Sequence, residues 1–216
     1  LQAPLSSPDD WQEILPHRAD VKLDGLDAFQ AHLVVWCRRD GVSTILVLPG
    51  GGRPPEELLF EEEVRTVAAG SNLEYASQSL RFEYESLVTP SSVYDHDLAT
   101  GARTLLKQQP VLGGYQIADW ESVREWATAG DGTGIPISLV RRKGAPQDGS
   151  AALVLYGYGA YEANSDPWFS AGRLSLLERG VTFAIAHVRG GGELGRHWYE
   201  SGKLANKTNS FYDLNA

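Results

Sequence analysis

The sequence has no methionine and a single cysteine, Cys37. One thiol cannot build an internal disulfide framework and fits a reducing compartment, so a cytoplasmic location is the expectation. Lacking an initiator methionine, the 216 residues are expected to begin inside a longer protein. The opening LQAPLSSPDDWQ has neither a basic nor an apolar segment, so no secretory signal is visible there. Long apolar runs are also missing. None approaches the roughly 18–20 residues of a membrane span, so no membrane partner is expected. Basic residues are the minority, 19 against 28 acidic, for a formal charge of −9. That balance argues against nucleic acid as the main partner. No group of His, Cys and carboxylates has zinc-ligand spacing, and neither a metal nor another cofactor is implied.

What remains is the composition of a globular chain, 42% apolar and 22% charged, long enough for one large domain or two modest ones. Residues 1 to about 111 read as β-structure. HLVVWCRRDGVSTILVLP (32–49) is two β-rich runs around Asp40-Gly41, a strong hairpin signal. LRFEYESLVTPSSVYDHDLATGARTLL (80–106) repeats the theme, with turns at Thr89-Pro90-Ser91-Ser92 and Ala99-Thr100-Gly101. Phe82, Tyr84 and Ser86 alternate with Arg81, Glu83 and Glu85, the period of a half-buried strand. The two units lie about 48 residues apart, within the roughly 40–50 residues of a propeller blade. A β-sandwich fits that spacing nearly as well. Between the units, PPEELLFEEE (54–63) reads as a solvated loop or strand edge.

From about residue 112 the texture changes. IADWESVREWATAGDGTGIPISLVRRKG predicts two strands joined at Asp131-Gly132-Thr133-Gly134. AALVLYGYG (151–159) is a continuous apolar strand ending in glycines, and VTFAIAHV (181–188) is another. Between them SAGRLSLLERG (170–180) has helical spacing and closes on Gly180. Strand, helix and strand in that order predict a parallel pair in an α/β sheet.

HVRGGGELGRHWY (187–199) has the Gly-x-Gly-x-x-Gly spacing of a dinucleotide-binding turn. That fold needs the third glycine to open an amphipathic helix facing the pyrophosphate. Gly195 is followed instead by polar sequence with no sustained apolar stripe, and Asp213 has no apolar strand before it to place it on a ribose. The glycines are read mechanically, as a sharp turn at positive φ where no Cβ fits.

LVLYGYGAY (153–161) and AIAHVRGGGELGRHWYESGKLANKTNSFYDL (184–214) resemble the prolyl oligopeptidase family of serine peptidases, most closely its oligopeptidase B branch, which cuts after Arg and Lys. LPHRADVKLDGLDAFQAHLVV (15–35) is similar to the propeller of that branch. The resemblance implies a β-propeller followed by an α/β-hydrolase domain. Residues 1–111 would be the C-terminal blades of a seven-bladed propeller, and 112–216 the first part of the catalytic domain. It also implies that Tyr158, the second tyrosine of YGYG, lends its phenolic O–H to the oxyanion. Tyr161 would line the first substrate pocket. Asp166 matches the first acid of an Asp-x-Asp pair that meets a basic substrate side chain, but Trp168 replaces the second. A carboxylate plus an indole face would then hold the cation.

A serine nucleophile in such a fold sits in a Gly-x-Ser-x-Gly elbow, and none occurs here. Trp168-Phe169-Ser170-Ala171-Gly172 comes nearest, with tryptophan where the first glycine must turn. His187 is read as a core residue, His197 as surface or supporting, and His17, His32 and His96 belong to the β-region. The expectation is therefore part of an oligopeptidase for short peptides, inactive by itself and dependent on the missing N- and C-terminal parts of its parent chain. The alternative is a non-catalytic truncated pseudoenzyme or β-propeller interaction module.

Overall fold

The computed structural model describes residues 1–51 and 53–216. The first two sheets are four-stranded antiparallel meanders. β1 (Val21–Ala28), β2 (His32–Arg39), β3 (Val42–Pro49) and β4 (Glu56–Glu57) pair in chain order. So do β5 (Thr66–Ala69), β6 (Ser79–Glu85), β7 (Ser92–Asp97) and β8 (Arg103–Gln108). The hairpin expected at Asp40-Gly41 joins β2 to β3, with Arg39 opposite Val42 and both turn residues at positive φ. Four strands in simple sequence are the pattern of a propeller blade, whereas sandwiches generally use Greek-key connections.

The two sheets bury one shared core. Val34, Trp36, Ile45 and Val47 of the first pack with Leu80, Phe82 and Tyr84 of the second. Phe60, on the segment between them, stacks on Tyr84 and meets Phe82 edge-on. The acidic stretch there is less solvated than its composition suggests. The Glu62 carboxylate accepts hydrogen bonds from Tyr84, Ser86 and Thr89 at 2.5, 3.0 and 2.9 Å, and Glu57 pairs with Arg39 at 2.7 Å.

The third sheet has the order β11-β12-β10-β9, from β9 (Trp120–Thr128), β10 (Gly134–Arg142), β11 (Leu153–Tyr156) and β12 (Thr182–Ala186). β9 and β10 form the hairpin expected around Asp131-Gly132, and β10 runs antiparallel to β12. β11 and β12 are the expected parallel pair, linked through α1 (Ala171–Leu177). Ser170 caps α1 by accepting from the Arg173 backbone N–H at 3.3 Å, a structural role that accounts for a serine here without any nucleophile. β11 is the edge strand. All four of its residues are exposed.

The blades and the third sheet are packed together. Val64, Leu87 and Val88 join Trp120, Val140, Leu177, Phe183 and Ile185 in one core, and the Tyr115 hydroxyl donates to the Val88 carbonyl. After β12 the chain makes a glycine turn, then α2 (Arg196–Glu200) and α3 (Thr208–Leu214).

Candidate oxyanion and substrate-loop site

Parallel strands deliver their C-terminal ends to the ligand face of an α/β sheet. At that end of β11 stand Gly157, Tyr158 and Gly159. A Cβ on Gly157 would come within 2.8 Å of Leu214 Cδ1. Gly159 has φ +62°, and a Cβ there would overlap Val188 Cγ2 and reach Arg189 O at 2.8 Å. Tyr158 thus sits between two closely packed glycines, of which Gly159 is required by its positive φ and by the Arg189 backbone against it. Its side chain is 49% exposed, and its hydroxyl has no hydrogen-bond partner among the described residues.

Tyr161 and Glu162 follow at φ +57° and +58°, closed by a 3.0 Å hydrogen bond from the Ala163 N–H to the Ala160 carbonyl. This is a type I′ geometry without the glycine or asparagine it favours, so the turn is strained. Tyr161 is 85% exposed. The Glu162 N–H donates to the Gly190 carbonyl at 3.2 Å, and its carboxylate takes Arg196 at 2.8 Å.

Asp166 and Trp168 have partners other than the substrate cation expected of them. The Asp166 carboxylate is gripped at both oxygens by Arg38 of β2, whose Nε also donates to Asp24 at 2.9 Å. The Trp168 ring packs edge-on against Tyr156 and Phe183, and the Arg173 guanidinium lies 5.0 Å from its centroid. Burial pushes Arg173 down to about 10. The Asp166 carboxylate is thus engaged by the first blade, and the Trp168 ring by residues of the third sheet and α1. Thr66 Oγ1 donating to the Pro167 carbonyl at 2.6 Å, and the Phe169 N–H donating to Glu85 at 3.1 Å, fasten the same loop to the second blade.

The glycine turn is no nucleotide cradle, since α2 beyond it has only five residues. Of the three consecutive glycines, only Gly190 has positive φ, and a Cβ there would overlap the Gly159 carbonyl. Gly191 and Gly192 have no positive φ and instead pack closely against the Glu193 side chain and the Ala163 and Glu162 carbonyls. Arg189 anchors the turn. It donates to the buried Asp213 carboxylate through its backbone N–H at 2.8 Å and through its guanidinium, and also to Asp131 at 2.6 Å. These partners hold the guanidinium above its usual range, Asp213 contributing most. On the other side, Lys207 Nζ donates to the Gly159 carbonyl at 2.5 Å. These pairings are not legible in the sequence, where Asp213 stands out only as a candidate ribose contact.

His187 is buried, as expected. Ser138 Oγ accepts from Arg124 at 2.8 Å and is hydrogen-bonded to His187 Nε2 at 2.8 Å, while His187 Nδ1 lies 3.8 Å from the buried Glu193 carboxylate. His197 is exposed. Cys37 is buried, and burial pushes its thiol up to about 11, so it offers no reactive thiolate. Among the described residues no cluster of His, Cys, Asp and Glu is arranged to hold a metal ion, and no helix is long and apolar enough to cross a membrane.

Meander blades set against a sheet with a parallel edge pair define a propeller-bearing α/β-hydrolase architecture. Comparison with known proteins agrees: the prolyl oligopeptidase N-terminal β-propeller domain matches residues 1–109, and the prolyl oligopeptidase family peptidase region matches residues 167–216. The chain belongs to the prolyl oligopeptidase family. It is 41% identical to dipeptidyl aminopeptidase BI of Pseudoxanthomonas mexicana over 95% of this chain and 28% of that protein. It is 37% identical to protease 2 of Moraxella lacunata over 99% of this chain and 31% of the relative. The structure of oligopeptidase B from Trypanosoma brucei with covalently bound antipain, in a closed form, superimposes with a TM-score of 0.87 at 37% identity. That match covers 98% of this chain and 31% of the other. The chain thus spans about 30% of the length of these relatives.

Proposed function

We propose that this chain supplies one oxyanion donor and the substrate-side loops of a serine-type oligopeptidase that hydrolyses short peptides, after Arg or Lys, through an acyl-enzyme. The observation that carries this reading is Tyr158. Its hydroxyl has no partner among the described residues, the residue is half-exposed, and its backbone is pinned at the end of a parallel strand. When a serine attacks the scissile carbonyl, the oxygen gains negative charge and needs donors already in place. A free phenolic O–H meets that need without first giving up an internal hydrogen bond. Tyr161, exposed at its strained turn, forms a wall of the first pocket.

No Gly-x-Ser-x-Gly elbow occurs in the 216 residues, so this reading assigns the triad to the part of the relatives' length that the chain does not cover. The covalent antipain complex of the T. brucei relative fits a nucleophilic mechanism. Asp166 serves the contact between propeller and sheet and leaves no free carboxylate beside Trp168, so a second basic residue in the substrate is not required. The preference for Arg or Lys rests on likeness to oligopeptidase B.

The test is Tyr158→Phe in the full-length protein, assayed on an arginyl-amide peptide. Losing one oxyanion donor is expected to lower kcat by about 10²–10³, with KM nearly unchanged. An unaltered kcat removes the assignment. Full-length wild-type protein with no turnover favours a pseudoenzyme, and the 216-residue chain by itself is expected to be inactive.

A further inference from the structure

The Tyr158 hydroxyl has no hydrogen-bond partner among the described residues, so its aim must come from the backbone that carries it. That backbone is gripped from α3. Lys207, immediately before α3, donates from Nζ to the Gly159 carbonyl at 2.5 Å and to Ser210 Oγ at 3.1 Å. Ser210 is buried, and its hydroxyl donates to the Arg189 carbonyl at 2.5 Å. Ammonium, hydroxyl and two carbonyls thus form one short chain of hydrogen bonds across two loops. One loop bears the candidate oxyanion donor, and the other is the glycine turn.

The grip is closed on its remaining sides by sterics. Gly190 leaves no room for a Cβ against the Gly159 carbonyl, and Gly157 lies against the Leu214 side chain of α3. Gly202 leaves no room for a Cβ against the Arg189–Gly190 backbone. The carbonyl after Tyr158 therefore has a charged donor on one side and bare backbone on the other. Charge-assisted bonds of this kind are roughly twice as strong as neutral ones.

We infer that Lys207 and Ser210 are positioning residues that hold the Tyr158–Gly159 backbone, and so aim the Tyr158 phenol at the developing oxyanion. The inference rests on the oxyanion role proposed for Tyr158. Neither side chain needs to touch substrate. A misplacement of about 1 Å at a reacting centre can cost about 10²-fold in rate, so loosening this clamp is expected to appear in kcat rather than in KM.

A double-mutant cycle in the full-length protein tests it, with kcat and KM measured on an arginyl-amide peptide for Lys207→Met, Tyr158→Phe and the combination. Lys207→Met is expected to lower kcat by about 10–100-fold with KM nearly unchanged. In the Tyr158→Phe background the same change should cost less than about three-fold, because the phenol it aims is already gone. If Lys207→Met does not fold, Ser210→Ala takes its place in the cycle with the same expectation. Equal losses in both backgrounds, or a change in KM alone, overturn the inference. The two readings fail separately. An unchanged kcat in Tyr158→Phe sinks the oxyanion role itself. A large loss there beside an unchanged kcat in the clamp variants sinks only the positioning.

Discussion

Arg38 in the first blade and Asp166 in the loop after β11 form a two-pronged ion pair across 128 residues of sequence. The Arg38 side chain is almost fully buried, and Asp24 is its only other carboxylate partner among the described residues. Removing one member of a fully buried pair costs about 3–5 kcal/mol. With Asp24 still at 2.9 Å, Asp166→Ala should cost less, about 1–3 kcal/mol. Urea unfolding of the full-length protein checks this. If the carboxylate is committed to Arg38, the preference for Arg-Arg over Ala-Arg amides should change little in the same variant. A collapse of that preference would return Asp166 to the substrate.

His187 should make stability depend on pH. Burial lowers its pKa from the ordinary value, with Glu193 opposing the shift and Arg124 adding to it. An imidazole held neutral in the fold binds its proton more readily once unfolded. Stability from this group is therefore complete above about pH 6.5 and is lost as pH falls below it, at no more than about 1.4 kcal/mol per unit for one proton. Denaturant midpoints between about pH 5 and 8 should slope downward toward acid in the wild type and flatten in His187→Gln. Parallel profiles would place the titration elsewhere.

Much of the fold was legible because its signals are local. Asp40-Gly41 announces a hairpin in two residues, and the strand–helix–strand order around Ser170 announces a parallel pair. β1 and β4 were harder to read, since VKLDGLDA is mostly exposed and β4 is two residues long. The position of Tyr158 followed from the strand and glycines around it. The partners of Asp166, Glu62 and Asp213 did not, because each is reached from more than 20 residues away through the fold. A carboxylate in a sequence looks the same whether it awaits a ligand or already holds an arginine.

The edge strand β11 sets the solution behaviour expected of the 216-residue chain. Leu153, Val154, Leu155 and Tyr156 are all at least 40% exposed on a strand with one unpaired side. Exposed apolar edges pair with other edges. The isolated chain is expected to elute as oligomers in size-exclusion chromatography, and Leu155→Lys to raise the monomer fraction. A wild-type chain that runs as a monomer and melts cooperatively counts against this.

Asp213 and Arg189 form the most buried arginine–carboxylate pair among the described residues, with the Asp213 side chain wholly inaccessible. The carboxylate serves three donor groups at once: the Arg189 N–H, its Nε and its Nη2. Asp213→Ala strands a guanidinium whose other carboxylate, Asp131, is half-exposed. It also frees the backbone N–H that starts the glycine turn. Arg38 and Arg189 each keep a second acid, Asp24 and Asp131, but Asp131 is the more exposed of the two. Asp213→Ala also orphans the Arg189 backbone N–H, so its cost is expected at about 3–5 kcal/mol, that of an unpaired buried charge, and above that of Asp166→Ala. The order of the two losses is the measurable claim: Asp213→Ala should lower the denaturant midpoint further than Asp166→Ala. Because the freed turn packs on Gly159, Asp213→Ala should also slow turnover in whatever fraction still folds, with KM nearly unchanged. A midpoint loss no larger than that of Asp166→Ala would mean that Asp131 alone can hold Arg189 in place.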